Sequence, residues 1–166
     1  VVYADTTGQI GFVAAGRVPL RGPGAHSRGL MPVPGWDGRA DWHGYIPFEE
    51  LPSKRNPPSG RIVTANQKIT PERYPHWLTS EWSEPYRARR IEDLLAVRER
   101  HDVSSFQAMQ LDVQSGSARV LLPHLLATLS HAGARFSQRE SELLERLERW
   151  DLEMRAGAGE PLAFSA

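Results

Sequence analysis

The residues best suited to chemistry lie in the run Asn56-Pro57-Pro58-Ser59-Gly60-Arg61-Ile62-Val63-Thr64-Ala65-Asn66-Gln67. Two prolines stiffen the turn, and the β-branched residues after it predict a strand over Arg61–Ala65 that ends on the side-chain amides of Asn66 and Gln67. An amide held at a strand end with little freedom is a preorganised hydrogen-bond donor. Such a donor can stabilise the charge that develops on a carbonyl oxygen when an amide is attacked. The same residues also compose a turn, an edge strand and an asparagine capping the next turn, and residue types alone favour that plainer reading.

Other chemistries find less support. The six histidines (His26, His43, His76, His101, His124 and His131) show no paired spacing of the kind that binds zinc on a helix, so each reads as a surface or core residue. There is no G-x-S-x-G elbow, Walker loop or dinucleotide fingerprint. The run Arg21-Gly22-Pro23-Gly24 lacks both the strand-to-helix setting and the Lys-Ser/Thr that phosphate binding needs. Glu49, Glu50, Glu81 and Glu84 lie near aromatic residues without partner carboxylates and are assigned no acid–base role. The absence of cysteine removes disulfides, thiolate nucleophiles and cysteine metal sites.

Twenty basic and twenty acidic side chains balance to zero, so no net field draws the chain to nucleic acid or an anionic membrane, and neither is expected as a partner. No apolar run approaches the roughly 18 residues that span a bilayer, and the start lacks a basic-then-apolar targeting pattern. Opening at Val1 rather than methionine is expected of a processed or trimmed chain.

The elements that must position these groups divide by pattern into an α+β whole, with a strand- and loop-rich half over residues 1–85 and a helical half over 86–166. Val1 to Ala4 and Ile10 to Ala15, separated by Asp5-Thr6-Thr7-Gly8, predict a hairpin. The Gly-, Pro- and Ser-rich stretch from Arg21 to Arg39 predicts a long loop. About four helices follow. The first opens near Pro85 with Ile91, Leu94 and Leu95 on one face. The second is capped by Ser104 and has Phe106, Met109 and Val113 inward. The third holds Val120, Leu121, Leu125 and Leu129 and is expected to kink at Pro123. The fourth opens at Ser137 with Glu140 three residues on, carries Leu143, Leu144, Leu147, Trp150 and Met154 along one stripe, and breaks at Gly157 and Gly159.

Taken in order, several runs resemble the β-chain of the penicillin acylase family of N-terminal-nucleophile hydrolases. They are Ile10-Gly11-Phe12 through Pro19-Leu20-Arg21, Pro34-Gly35-Trp36-Asp37-Gly38, Trp42-His43-Gly44-Tyr45-Ile46-Pro47-Phe48 through Pro52, Asn56-Pro57-Pro58-Ser59-Gly60 with Asn66-Gln67, and Tyr86-Arg87-Ala88-Arg89-Arg90-Ile91. The resemblance runs from Val1 to Arg155. It departs where Thr64 and Gln67 stand for asparagines of the family pattern.

This resemblance implies an interior piece of a β-chain, carrying part of the N-terminal-nucleophile hydrolase fold. The implied parent is an amidase that removes an acyl group from a β-lactam nucleus, an acyl-homoserine lactone or a related small-molecule amide through an acyl-serine intermediate. In the family one residue, the serine at the β-chain N-terminus, supplies the nucleophile, and its α-amine is the general base. Asn66 would then be the side-chain donor of the oxyanion hole, and Arg87 the arginine that orients it. Val1 is not that serine, so the chain by itself is expected to be inactive, with the remainder of the β-chain and an α-chain of the same precursor as its partners. No cofactor is expected. Family members that bind calcium use an aspartate near the segment that here reads Tyr74-Pro75-His76-Trp77-Leu78, where no aspartate stands, so calcium ligands are not identifiable. The resemblance implies a periplasmic or secreted parent. A noncatalytic scaffold or interaction module on the same fold is the alternative, to which Thr64 and Gln67 lend weight.

Overall fold

A computed structural model describes residues 1–22, 28–131 and 136–165. His26, and Pro23 and Gly24 of the run that begins at Arg21, lie outside them. The chain falls into two compact units, one comprising residues 1–64 and 68–82, the other residues 65–67 and 83–166.

The first unit is built on short strands. β1 (Val2–Ala4) and β2 (Ile10–Val13) form the expected antiparallel hairpin, with Tyr3 opposite Gly11. The turn closes because Asp5 Oδ1 accepts the backbone N–H groups of Thr7 and Gln9, at 2.9 and 3.0 Å, while Gly8 takes a left-handed φ of 84°. Gly11 has a packing reason as well. A β-carbon there would lie 2.2 Å from the Tyr3 ring, which crosses the strand at that point.

β2 gains a second neighbour in β5 (Ser53–Arg55), giving the order β1-β2-β5. A separate pair joins β3 (Pro19–Arg21) to β4 (Trp42–Tyr45), with a register shift between Pro19 and Arg21. Ile46 and Leu51 are the buried apolar residues at the ends of this region, flanking a 3₁₀ turn over Phe48–Glu50.

The strand expected over residues 61–65 is not formed. The ladder instead precedes the Pro-Pro turn. Asn56, at φ 44°, ends β5 by exchanging bonds with Ile10: its N–H donates to the Ile10 carbonyl and its Oδ1 accepts the Ile10 N–H, both at 2.9 Å. The two prolines that follow carry no N–H to continue a ladder, and the β-branched run beyond them belongs to neither sheet of the described residues.

The second unit is helical: α1 (Tyr86–Ala96), α2 (Val103–Gln110), α3 (Gly116–His131), α4 (Gln138–Glu148) and α5 (Gly159–Ser165). α1 packs on α3, α3 on α4 and α4 on α5. The α1–α3 approach depends on Gly116, where a β-carbon would sit 3.0 Å from Tyr86 Cβ and 3.3 Å from its carbonyl oxygen.

Several helical expectations need correction. The N-cap of α2 is Asp102, whose side chain accepts from Ser105 N–H while Ser105 Oγ takes the Asp102 N–H, so the reciprocal box sits two residues earlier than Ser104. Phe106 and Val113 are exposed rather than inward. α3 runs through Pro123, and its buried residues are Ala118 and Leu122, whereas Val120, Leu121 and Leu125 are exposed. The covered stripe of α3 thus runs through Ala118 and Leu122 rather than through its bulkier residues. α4 opens as expected on the Ser137–Glu140 box, but it ends at Glu148, well before the glycines. The chain then turns back through Leu152 at φ 64°, and Met154 N–H donates to the Val113 carbonyl. Of the apolar stripe expected on α4, Leu147 is buried, while Leu143 and Met154 are exposed. Gly159 starts α5, which is held to α4 by an Arg146–Glu160 ion pair at 2.8 Å and a Trp150–Phe164 ring contact.

Candidate functional site

Asn66 and Arg87, distant in sequence, meet within the second unit. Pro85, at φ −76°, occupies the N-cap of α1, where its missing N–H costs nothing because the first helical donors have no intrahelical partner. Arg87 is thereby fixed in the first turn. Its Nη2 donates to Asn66 Oδ1 at 2.6 Å and to the Ala65 carbonyl at 2.8 Å.

The peptide carrying Asn66 is held from several directions. Asn66 has φ 66°, in the left-handed region that asparagine tolerates better than other residues with a side chain. Its carbonyl accepts the N–H of Ser83 at 2.9 Å. The N–H of Ala65, a buried residue, is taken by Gln67 Oε1 at 2.6 Å. The strand terminus expected at Asn66 is therefore a tight left-handed turn locked by side chains.

These contacts fix the chemistry of the amide. A guanidinium has only donors, so the atom of Asn66 facing it must be the carbonyl oxygen, and the NH₂ end is turned away. Asn66 is an exposed residue.

A second arginine of α1 supports the same helix. Arg90 makes a two-point ion pair with Asp112, Nε to Oδ1 at 2.9 Å and Nη2 to Oδ2 at 2.5 Å, with both side chains largely covered. The Arg90 hydrogen bonds hold the Asp112 carboxyl below its ordinary range and, reciprocally, raise the guanidinium's affinity for its proton. Arg87, Arg90, Tyr86, Met109, Asp112 and Ser115 line a cleft of about 380 Å³.

Other arrangements that look catalytic are accounted for structurally. Ser105 Oγ lies 3.3 Å from His101 Nδ1, a serine–histidine pair at first sight. The hydroxyl is already committed to the capping box and the Asp102 carbonyl, and His101 Nε2 faces the Leu95 carbonyl at 3.1 Å. In the first unit His76 Nε2 meets Glu50 Oε2 at 2.5 Å, and Tyr74 donates to the Glu50 carbonyl at 2.9 Å. Burial, and then the Glu50 charge, raise the Tyr74 hydroxyl above its ordinary value.

Calcium favours several oxygen ligands, mostly carboxylates and carbonyls. The segment Tyr74–Leu78 contributes no carboxylate, and the Glu50 carboxylate beside it is occupied by His76. Among the described residues no group of three or more His, Asp or Glu side chains converges to hold a metal. These residues do not fit a calcium site.

Ser83 and Asp112 were not singled out from the sequence, and Gln67 was noted only as a second strand-end amide. Ser83 acts through its backbone, which no residue type reveals. Asp112 gave no signal, because the second helix was expected to run on to Val113, whereas it ends at Gln110.

With this geometry in place, comparison with known proteins is decisive: a family model described as penicillin amidase matches residues 1–166. The chain belongs to the penicillin amidase family. It is 36% identical over 169 residues to penicillin acylase 2 proenzyme of Pseudomonas sp. strain SE83, covering all of this chain and 20% of that protein. To the acyl-homoserine lactone acylase QuiP of Pseudomonas putida it is 45% identical over 111 residues, 67% of this chain and 13% of the relative. To penicillin G acylase of Escherichia coli it is 37% identical over 156 residues, 90% of this chain and 17% of the relative.

Among solved structures, the thermostable penicillin G acylase from Alcaligenes faecalis superimposes with a TM-score of 0.65 at 25% identity, over 94% of this chain and 28% of that one. The fold is thus a mixed α+β one of the N-terminal-nucleophile hydrolase kind, and the penicillin amidase relatives are acylases. The chain spans about a fifth of the length of penicillin acylase 2 proenzyme, or less for the other curated relatives described.

Proposed function

We propose that this chain is the part of an acyl-amide hydrolase that supplies the side-chain donor of the oxyanion hole, with Asn66 as that donor and Arg87 as its positioning residue. The observation that carries the reading is the Arg87–Asn66 hydrogen bond of 2.6 Å. It commits the amide oxygen to the guanidinium and leaves the NH₂ as the end that meets substrate.

In the proposed reaction a serine hydroxyl outside these residues attacks the carbonyl carbon of a linear amide. The hydroxyl proton passes to that serine's own α-amine, and the carbonyl oxygen becomes an oxyanion that accepts a hydrogen bond from Asn66 Nδ2. Collapse of the tetrahedral intermediate expels the amine, which takes up the proton, and leaves an acyl-serine that water hydrolyses. Substrates of this class are β-lactams with an acylated amino group and acyl-homoserine lactones, the compounds in the names of the relatives.

The reading is tested on the full-length product. Intact-mass measurement is expected to find two chains, one of them beginning with serine, and that product is expected to hydrolyse phenylacetyl or long-chain acyl anilides. The 166-residue chain alone is expected to hydrolyse none of them. A single unprocessed chain without hydrolysis would favour a noncatalytic scaffold. Enzyme-level turnover by the short chain would place the nucleophile within it.

A further inference from the structure

We propose that Gln67 is a positioning residue for the oxyanion donor, setting the aim of Asn66 through the backbone. The inference rests on the reading of Asn66 given above and goes beyond it. At this position the family pattern has asparagine, and the longer side chain of glutamine does specific work here.

Asn66 sits at the apex of a turn with φ 66°, a conformation that costs a side-chain-bearing residue energy and persists only when its surroundings over-determine it. Three restraints act after or beside the apex. Ser83 N–H holds the Asn66 carbonyl, and Arg87 holds both the Asn66 side-chain oxygen and the Ala65 carbonyl. None of these fixes the peptide plane that enters Ala65.

Gln67 supplies that restraint. Its Oε1 reaches back past the apex to accept the Ala65 N–H at 2.6 Å, closing a ring of covalent and hydrogen bonds that contains Asn66. With Ala65 buried, the N–H would otherwise lie unsatisfied or draw the chain toward another acceptor. Rotation of the Ala65–Asn66 segment by a few tens of degrees would move Nδ2 by about an ångström, enough to weaken a transition-state contact severely.

The experiment uses the full-length enzyme and an acyl anilide, comparing wild type, Gln67→Met, Asn66→Ala and the double variant, with Tm recorded for each. Methionine keeps the length of glutamine and removes the strong acceptor. Gln67→Ala takes its place in the comparison if Gln67→Met does not yield soluble enzyme. Gln67→Met is expected to lower kcat about ten- to a hundredfold with KM little changed. In the Asn66→Ala background the same change is expected to have almost no further effect, because the group it aims is gone.

Wild-type kcat in Gln67→Met, or an undiminished loss on adding it to Asn66→Ala, would overturn the inference and leave the role of Asn66 standing. Wild-type turnover in Asn66→Ala would remove the oxyanion reading itself, and this inference with it.

Discussion

One nitrogen of Arg87 holds two oxygens of neighbouring residues, Ala65 O at 2.8 Å and Asn66 Oδ1 at 2.6 Å, so the guanidinium grips the backbone and the side chain of the same turn. A lysine could place a charge there, but not a planar group with fixed donor directions.

Arg87→Lys in the full-length enzyme is therefore expected to lower kcat by about tenfold or more while changing KM little, since the loss is of transition-state orientation rather than of ground-state binding. Steady-state kinetics on an acyl anilide measures it. A rise in KM at constant kcat would instead assign Arg87 to substrate binding.

The Arg90–Asp112 pair makes a prediction about pH. The folded Asp112 carboxyl titrates below its unfolded value, held there first by the Arg90 hydrogen bonds, so its contribution is present at neutral pH. It is lost as pH falls from the ordinary aspartate range, near 4, through the lower folded value. Asp112→Asn is expected to cost about 1–2 kcal/mol at pH 7 and progressively less on acidification. Chemical denaturation at several pH values checks this, and a pH-independent difference would be inconsistent with it.

Gly116→Ala should destabilise, although alanine is the better helix former by about 1 kcal/mol. The added carbon meets Tyr86 Cβ at 3.0 Å and the Tyr86 carbonyl oxygen at 3.3 Å, and both belong to the fixed first residue of α1. A loss of about 1–3 kcal/mol is expected from overpacking. Thermal melting would show it as a lower Tm, and a higher Tm would mean that α1 yields freely.

The Asp102 cap gives a local pH signature. Hydrogen bonds from the Ser105 N–H and then the Ser104 hydroxyl lower its carboxyl to about 2. The cap is expected to stay intact down to pH values that protonate ordinary aspartates, and to be lost as pH falls through about 2. An NMR titration of the Asp102 carboxyl reports it, and a midpoint near 4 would contradict the capping geometry.

What the sequence made legible follows from how local each signal is. The β1–β2 hairpin and the start of α4 were readable because Asp5 to Gly8, and Ser137 with Glu140, close their own hydrogen bonds within a few residues. β5 was not, because Ser53-Lys54-Arg55 is polar and exposed, and its strand character comes from the ladder to β2. The β-branched run after the Pro-Pro turn misled for the converse reason: it has the propensity but belongs to neither sheet of the described residues.

The helix faces were misjudged where size was taken for burial. Ala118 is fully buried while Phe106 and Leu121 are exposed, and which face of a helix is covered depends on what packs there.

In the candidate site, Asn66 and Arg87 were named through the family pattern, and the structure brings them into contact. The left-handed backbone of Asn66 and the acceptor role of Gln67 were invisible, since both depend on how the turn closes rather than on residue type.

The proposed role of Asn66 as oxyanion donor is measured most directly by kcat for Asn66→Ala in the full-length enzyme, with Tm recorded beside it. Loss of turnover by about a hundred- to a thousandfold at unchanged Tm and similar KM is the predicted result. Turnover within about twofold of wild type would contradict the assignment, because a transition-state donor contributing about 3 kcal/mol cannot be removed at so small an effect on rate.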